Sequence, residues 1–244
     1  MSLNVLNKDS KKNLSTPSYS LVFNPKSLIR WLFRISGILV ICHLINVVTG
    51  APSWNLERLF HLEFEGNIPT WFSSILWFIA SIAAYQCSQY GQGNQNKTAW
   101  IMIAAGFLVF SIDEVAQIHE VIFAIINKYF YPDAIKNKII ESFKATNWSI
   151  IAAPFLILVV IWLFLTLRKL LIGSPRAARL LALGFFIAIF GAFVLETTTN
   201  FLNHGSLEWV WVIEATLEEW FEMIGAILII AGLFAHHRFL AGEK

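Results

Sequence analysis

Long apolar runs alternate along the chain with short polar segments. A helix rises ~1.5 Å per residue, so about 20 residues cross the ~30 Å hydrocarbon core of a bilayer. Six runs reach that length: Trp31–Thr49, Thr70–Ser88, Trp100–Glu120, Ser149–Leu167, Leu180–Asn203 and Trp209–Ala235. Trp71, Tyr90, Trp100, Trp148, Trp209 and Trp211 stand near several of their ends, where amphipathic rings favour the membrane–water boundary. The pattern predicts an all-α fold, a polytopic membrane helical bundle of about six transmembrane helices. Residues 27–240 form its single transmembrane domain. Residues 1–26 are rich in Ser, Asn and Lys, with Pro17 and Pro25. That composition buries too little apolar surface to fold, so the segment reads as a disordered cytoplasmic tail. A long charged region, Arg34 inside the first run and the lack of a small-x-small site after it argue for a retained first span over a cleaved leader.

Composition agrees with the pattern. Of 244 residues, 14% are charged, against about a quarter in a soluble domain. The net charge of +2 and the lack of a basic-aromatic stripe argue against nucleic acid as a partner. Cys42 and Cys87 lie in or beside apolar runs, form no CxxC and read as packing residues.

Basic residues orient the bundle. Lys8, Lys11, Lys12, Lys26, Arg30 and Arg34 precede or enter the first run. Arg168, Lys169, Arg176 and Arg179 follow the fourth, and Arg238 and Lys244 follow the sixth. With six spans all of these share one side, which predicts both termini in the cytoplasm of a cell whose inner (plasma) membrane holds the protein. The 121–148 loop, with Lys128, Lys136, Lys138 and Lys144, faces out against this trend, and Asp133 and Glu141 offset part of its charge. The 50–69 loop also faces out, and its "LERLFHLEFE" suits a short interfacial helix. No internal or inverted repeat is visible, which weakens a reading built on transporter symmetry.

Against this apolar background, ionisable residues cluster at one depth. Asp113, Glu114, His119 and Glu120 lie toward the outer end of the third run. Glu196, Asn200, Asn203 and His204 lie at similar depth in and after the fifth, and Glu214, Glu218, Glu219 and Glu222 in the outer half of the sixth. The first run adds His43 and Asn46. At ~100° per residue, Asp113, Gln117 and Glu120 share a helix face; so do Glu196, Asn200 and Asn203, and so do Glu214, Glu218 and Glu222. Each intramembrane carboxylate costs about 2.5–3.5 kcal/mol on insertion scales. Protonation, a bound cation or a water-filled pocket relieves that cost.

Taken singly, some of these residues have plainer readings. His43 is a core histidine by preference, Glu219 turns off the main face of its helix, and Asn200, Asn203 and Thr197–Thr199 could simply bond a neighbouring helix. His61, His236 and His237 read as interfacial or exposed. The acids taken together do not admit that reading, because leucine would suit the lipid better.

Imidazole with carboxylate suits zinc or iron, and carboxylate with amide oxygen suits manganese, magnesium or calcium. There is neither an HExxH nor an ExxH, so the helical zinc-protease and ferritin-like patterns are unmatched. The expected divalent-metal ligands (zinc, iron or manganese) are His119, Glu120, Glu196, His204 and Glu214. Asp113, Glu114 and Glu218 are the expected catalytic proton carriers, and Gln117, Asn200, Asn203, Glu222 and His43 line the rest of the pocket.

"FEGNIPTWFSSILWF" (Phe64–Phe78), "SIDEVAQIHE" and "LEEWFEMIGA" resemble a recurring pattern in uncharacterised bacterial multipass membrane proteins, over most of residues 30–235. That resemblance implies no activity. A second likeness is to the membrane hydrolases that include alkaline ceramidases and adiponectin-receptor proteins, which hold zinc by histidines in a seven-helix bundle. This chain departs in span number, lacks an HxxxH and is richer in Glu, so no ligand is carried over. The expected function is a metal-dependent membrane enzyme, a hydrolase or oxidase acting on a lipid or lipid-linked substrate. The alternatives are a cation or proton-coupled transporter or channel, and a non-catalytic membrane assembly factor.

Overall fold

A computed structural model of the chain describes residues 24–50, 53–62, 64–90, 94–119, 121–122, 125, 129, 146–195 and 208–242. The regular elements among them are all helical. Helix α1 is Pro25–Val48, α2 Trp54–Phe60, α3 Ile68–Gln89, α4 Asn94–Ala116, α5 Thr146–Leu170, α6 Pro175–Ile189 and α7 Glu208–Leu240. Five segments are long and apolar enough to cross a membrane: α1, α3, α4, α6 with its continuation to Leu195, and α7 from Trp209. The fourth apolar run lies within α5, a helix of 25 residues with Pro154 inside it.

Local chemistry sets the helix starts. The Asn24 side chain accepts the Lys26 N–H at 3.0 Å, and Pro25 follows it with φ already near the helical value. α1 therefore begins earlier than the apolar run alone implies. Asn67 repeats the device for α3, accepting the Thr70 N–H at 3.1 Å just ahead of Pro69. The expected short helix in the 50–69 loop is present as α2.

Two of the expected spans end differently. α4 stops at Ala116, short of Glu120, because Gln117 takes φ +53°, a left-handed conformation that an α-helix cannot continue through. α6 passes at Phe190 into a π-helical segment that runs to Leu195. The rest of that run, 196–203, and the 1–23 part of the tail lie outside the described residues.

α7 is the hub. It packs on α6 and its π-helical continuation, on α3 and on α1, while α4 packs along α3 and α5 lies more loosely beside α4. The core is made by Leu76, Ala80, Ala83, Ala84 and Cys87 of α3 with Ile227, Ile229, Ile230 and Leu233 of α7, all fully buried. Lipid tails are as apolar as leucine, so large side chains gain little by meeting one another and close approach of backbones matters more. The α6–α7 seam supplies that approach. A Cβ built on Gly184 would lie 2.8 Å from the Gly225 carbonyl oxygen, and one on Gly225 would lie 2.6 Å from Ala188 Cβ.

Contacts along the bundle fix which ends lie together. The Cys87 thiol reaches the Leu233 carbonyl, the Tyr90 and His237 rings meet at 5.0 Å, and Gly173 packs on Phe239. The end of α3 therefore lies with the end of α7 and the start of α6. At the opposite end lie the close of α1, residues 53–67, the start of α3, the close of α4 and the start of α7.

Candidate functional site

The left-handed turn at Gln117 is what builds the site. It folds the chain back over the end of α4, so that the Asp113 carboxylate accepts two hydrogen bonds from His119. Oδ1 takes the His119 backbone N–H at 2.9 Å, and Oδ2 pairs with Nδ1 at 2.7 Å. The Gln117 N–H reaches the Asp113 carbonyl at 2.7 Å, and the Val121 N–H reaches the Gln117 carbonyl at 3.1 Å. Asp113, Gln117 and Glu120 were expected along one helical face. The break at Gln117 overturns that periodicity for this stretch and gives Asp113 a different partner, His119. With Nδ1 donating to the carboxylate, the basic lone pair of a neutral imidazole lies on Nε2.

Glu114 is held next to this pair. Its Oε1 accepts the Trp77 indole N–H at 3.2 Å, and both Asp113 and Glu65 are close enough to act on it electrostatically. Trp77 is itself fixed by Phe107 and Phe110, with ring centroids at 5.7 and 5.3 Å. The same α3–α4 seam carries two serine bonds, from Ser74 Oγ to the Ser111 carbonyl at 2.7 Å and from Ser81 Oγ to the Ala104 carbonyl at 2.8 Å. Each satisfies a hydroxyl that lipid could not.

A polar clasp then seals residues 53–67 onto the bundle. Asn46 donates to the Leu56 carbonyl at 3.1 Å, and His43 Nδ1 accepts the Leu62 N–H at 3.3 Å. Asn67 donates to the His61 and Arg58 carbonyls while capping α3. The buried His61 ring stacks on Phe64 at 4.0 Å and meets His43 edge-on at 4.8 Å. Burial holds the His61 imidazole below its ordinary 6.5, opposed in part by Glu57. His43 was expected in the pocket or the core; it is 2% exposed, bonded to the clasp, and its Nε2 has no partner among the described residues. His61, His236 and His237 read as interfacial or exposed from the sequence; all three are buried within the protein, not exposed.

On α7, Glu214 is buried to 9% exposure, and its Oε2 has no hydrogen-bond partner among the described residues. One and two turns further, Glu218 and Glu222 flank the π-helical segment. A Cβ on Gly191 would meet the Glu218 carbonyl at 2.9 Å and Glu222 Cγ at 3.3 Å. π-Helical turns are rare and recur at functional sites.

Asp113, His119 and Glu114 are thus assembled, with Glu65 beside them. Glu218 and Glu222 share one surface of α7, and Glu214 lies a turn above them. No three His, Cys, Asp or Glu side chains among the described residues are grouped as metal ligands. Glu120, Glu196, Asn200, Asn203 and His204 lie outside the described residues. The sequence reading missed Glu65, Trp77 and the serines. The signal was present: Ser74, Trp77 and Ser81 fall at i, i+3 and i+7, a polar stripe on one face of an apolar helix.

A family model matches residues 32–237, a stretch that contains every candidate residue. The chain belongs to that family, described as a domain of unknown function (DUF8692). No curated protein and no solved structure matches the chain. The expected kinship with an uncharacterised family is met, and the comparisons give no link to alkaline ceramidases or adiponectin-receptor proteins.

Proposed function

We propose that this DUF8692 protein is a metal-dependent membrane enzyme acting on a lipid or lipid-linked substrate, with His119 as the anchoring ligand. The observation that carries the reading is the doubly hydrogen-bonded Asp113–His119 pair at the close of α4. A carboxylate that fixes an imidazole through Nδ1 sets its tautomer and presents Nε2 as base or ligand, an arrangement that recurs behind metal-bound histidines. Glu214 supports the reading, because a buried carboxylate oxygen without a donor calls for a cation or a proton. Glu120, Glu196 and His204 complete the proposed donor set. Asp113 is the positioning residue, and Glu114 and Glu218 are the proton carriers. A divalent cation would polarise an ester, amide or phosphoryl oxygen and acidify bound water.

In the proposed setting the six apolar helices span the inner (plasma) membrane with both termini cytoplasmic, and the acid end faces outward. Confinement of the described acids to that end supports a one-sided chamber over a continuous transport path. The test is metal content per chain in detergent-purified protein. About one equivalent of zinc, iron or manganese is expected in the native chain. His119→Ala should lower metal affinity about 10-fold or more, and Asp113→Asn should do so through the ring it orients. Native protein without stoichiometric metal, or a His119→Ala variant that keeps it, overturns the proposal.

A further inference from the structure

Helix α1 carries a charged stripe that the proposed chemistry does not use. Lys26, Arg30 and Arg34 stand at i, i+4 and i+8, so at ~100° per residue they share one face. All three are exposed. The buried residues of the helix are Leu32, Ser36, Leu39, Val40, His43 and Asn46, and the same spacing centres them on the opposite face. α1 packs on α7 and α2, so the cations turn away from both. Past Arg34 the outward face continues in Ile38, Ile41 and Ile45, each more than half exposed. Cations come first and hydrocarbon after, the order in which a phospholipid presents its headgroup and its chain.

Lys26 and Arg30 have an ordinary explanation, because positive residues flank membrane spans. Arg34 lies deeper. It is nine residues into α1, or ~14 Å along a helix ~36 Å long. A hydrocarbon layer of ~30 Å centred on that helix takes in Arg34 by ~10 Å. A charge at that depth is costly unless its head reaches the boundary. The guanidinium does turn back, its Cζ lying 5.0 Å from the centre of the exposed Trp31 ring, nearly one turn closer to the start. Arg30 turns the same way, its Nε donating to the Lys26 carbonyl at 3.3 Å. Like charges at i, i+4 repel, and no Asp or Glu among the described residues pairs with these. The described acids belong to α2, the 61–67 segment, the close of α4 and the first half of α7, all toward the other end. A second copy inserted the same way therefore brings no anion to this depth, whereas a lipid of the adjoining leaflet does.

We infer that the outward face of α1 binds an anionic phospholipid. Its phosphate sits between Arg30 and Arg34, Lys26 meets the headgroup, and one acyl chain lies along Ile38 and Ile41. Basic residues at the edge of a span attract anionic lipids. A choline headgroup carries its own cation to this stripe and is disfavoured. The binding is independent of the metal site proposed at the other end.

The experiment uses the full chain in detergent, with phosphatidylglycerol or phosphatidylcholine of identical acyl chains added and bound lipid counted by native mass spectrometry. Phosphatidylglycerol should be retained in preference. Arg30→Gln/Arg34→Gln should lower its occupancy about five-fold or more and leave phosphatidylcholine unchanged. Arg176→Gln/Arg179→Gln removes the same charge from exposed positions at the start of α6 and should keep most of the bound phosphatidylglycerol. A further readout leaves every charge of α1 in place. Phosphatidylglycerol brominated on its acyl chain should quench tryptophan fluorescence more than brominated phosphatidylcholine does, and Trp31→Phe should shrink that difference. Equal retention of the two lipids by the native chain overturns the inference. So do undiminished phosphatidylglycerol on the α1 variant, an equal loss on the α6 variant, or a quenching difference unchanged in Trp31→Phe. A protein partner released by the α1 variant, with no preference between the lipids, would assign the stripe to that partner and overturn it too.

Discussion

At one end of the bundle Glu65, Asp113 and Glu114 gather within a framework of directional bonds: two from His119 to Asp113, one from Trp77 to Glu114, and the Asn46, His43 and Asn67 clasp at the same end. At the other end Lys97, Arg168 and Lys169 are exposed, and the buried His236 packs on the buried Trp100 at 5.3 Å and on the exposed Phe239. The difference lies in how polarity is held. Hydrogen bonds fix position to a few tenths of an ångström and suit a site that must orient a proton or a ligand. Exposed cations on flexible stems attract charge without fixing geometry.

The largest expected break in this contrast comes from removing one donor at the acid end. Trp77→Phe keeps the ring between Phe107 and Phe110 but deletes the N–H that meets Glu114. A hydrogen bond to a charged group is worth ~1.5–3 kcal/mol, and a partner left without one bears its desolvation cost. Thermal unfolding in detergent should fall by roughly 4–8 °C, the shift that ~2 kcal/mol produces in a domain of this size. Adding Glu114→Leu should recover much of the loss, because the orphaned carboxylate is then gone. A double variant no more stable than Trp77→Phe would break the assignment of that bond.

Much of this was legible in the sequence, for reasons specific to membranes. Backbone groups in lipid must bond within their own segment, so apolar run length translates almost directly into helices, as it does for α1, α3, α4 and α7. The gathering of ionisable residues at one end follows from the same lengths and the alternation of helix direction. The pairing of Asp113 with His119 was not legible, because helical periodicity assigns Asp113 to Gln117 and Glu120. Only the left-handed turn at Gln117, a conformation uncommon outside glycine, Asn and Asp, brings His119 back to it. Nor does run length foretell that α6 turns π-helical at Phe190, where Gly191 comes close to the backbone of Glu218. Burial of His61 and His236 was missed for a related reason: both stand near helix ends in sequence, and neighbouring segments cover them.

The basic end should respond to a substitution in the opposite sense. His236 is 1% exposed, and neither ring nitrogen has a hydrogen-bond partner among the described residues. A buried polar group in that state opposes folding by about 1–3 kcal/mol. His236→Phe keeps an aromatic ring against Trp100 and Phe239, so the variant should melt ~2–4 °C higher, as a gain of ~1 kcal/mol implies. His119→Phe, by contrast, should lower stability, because it deletes the Nδ1 partner of the Asp113 carboxylate and leaves only the backbone N–H. If His236→Phe is the more destabilised of the two, the two ends do not differ in how their polar groups are held.

The smallest effect expected is on the clasp itself and depends on pH. His61 is covered by Phe64, His43 and Asn67, and burial holds its imidazole below the ordinary 6.5, with Glu57 opposing in part. Below about 6.5 the unfolded chain takes up a proton at this ring while the folded clasp resists it, so the unfolded state binds more protons and folding weakens as pH falls. Stability from His61 is therefore complete above 6.5 and is lost progressively on acidification. Hydrogen exchange of residues 53–62 and 64–67 at pH 7.5 and 5.5 reads this locally, where a global melt would average it with every other titration. Acid should speed exchange there in the native chain and much less in His61→Phe, which keeps the stack on Phe64 and cannot be protonated. Equal acceleration in both would move the pH response from the clasp to the neighbouring carboxylates, and the acid end would then be ordered by its acids, not by the histidine that covers them.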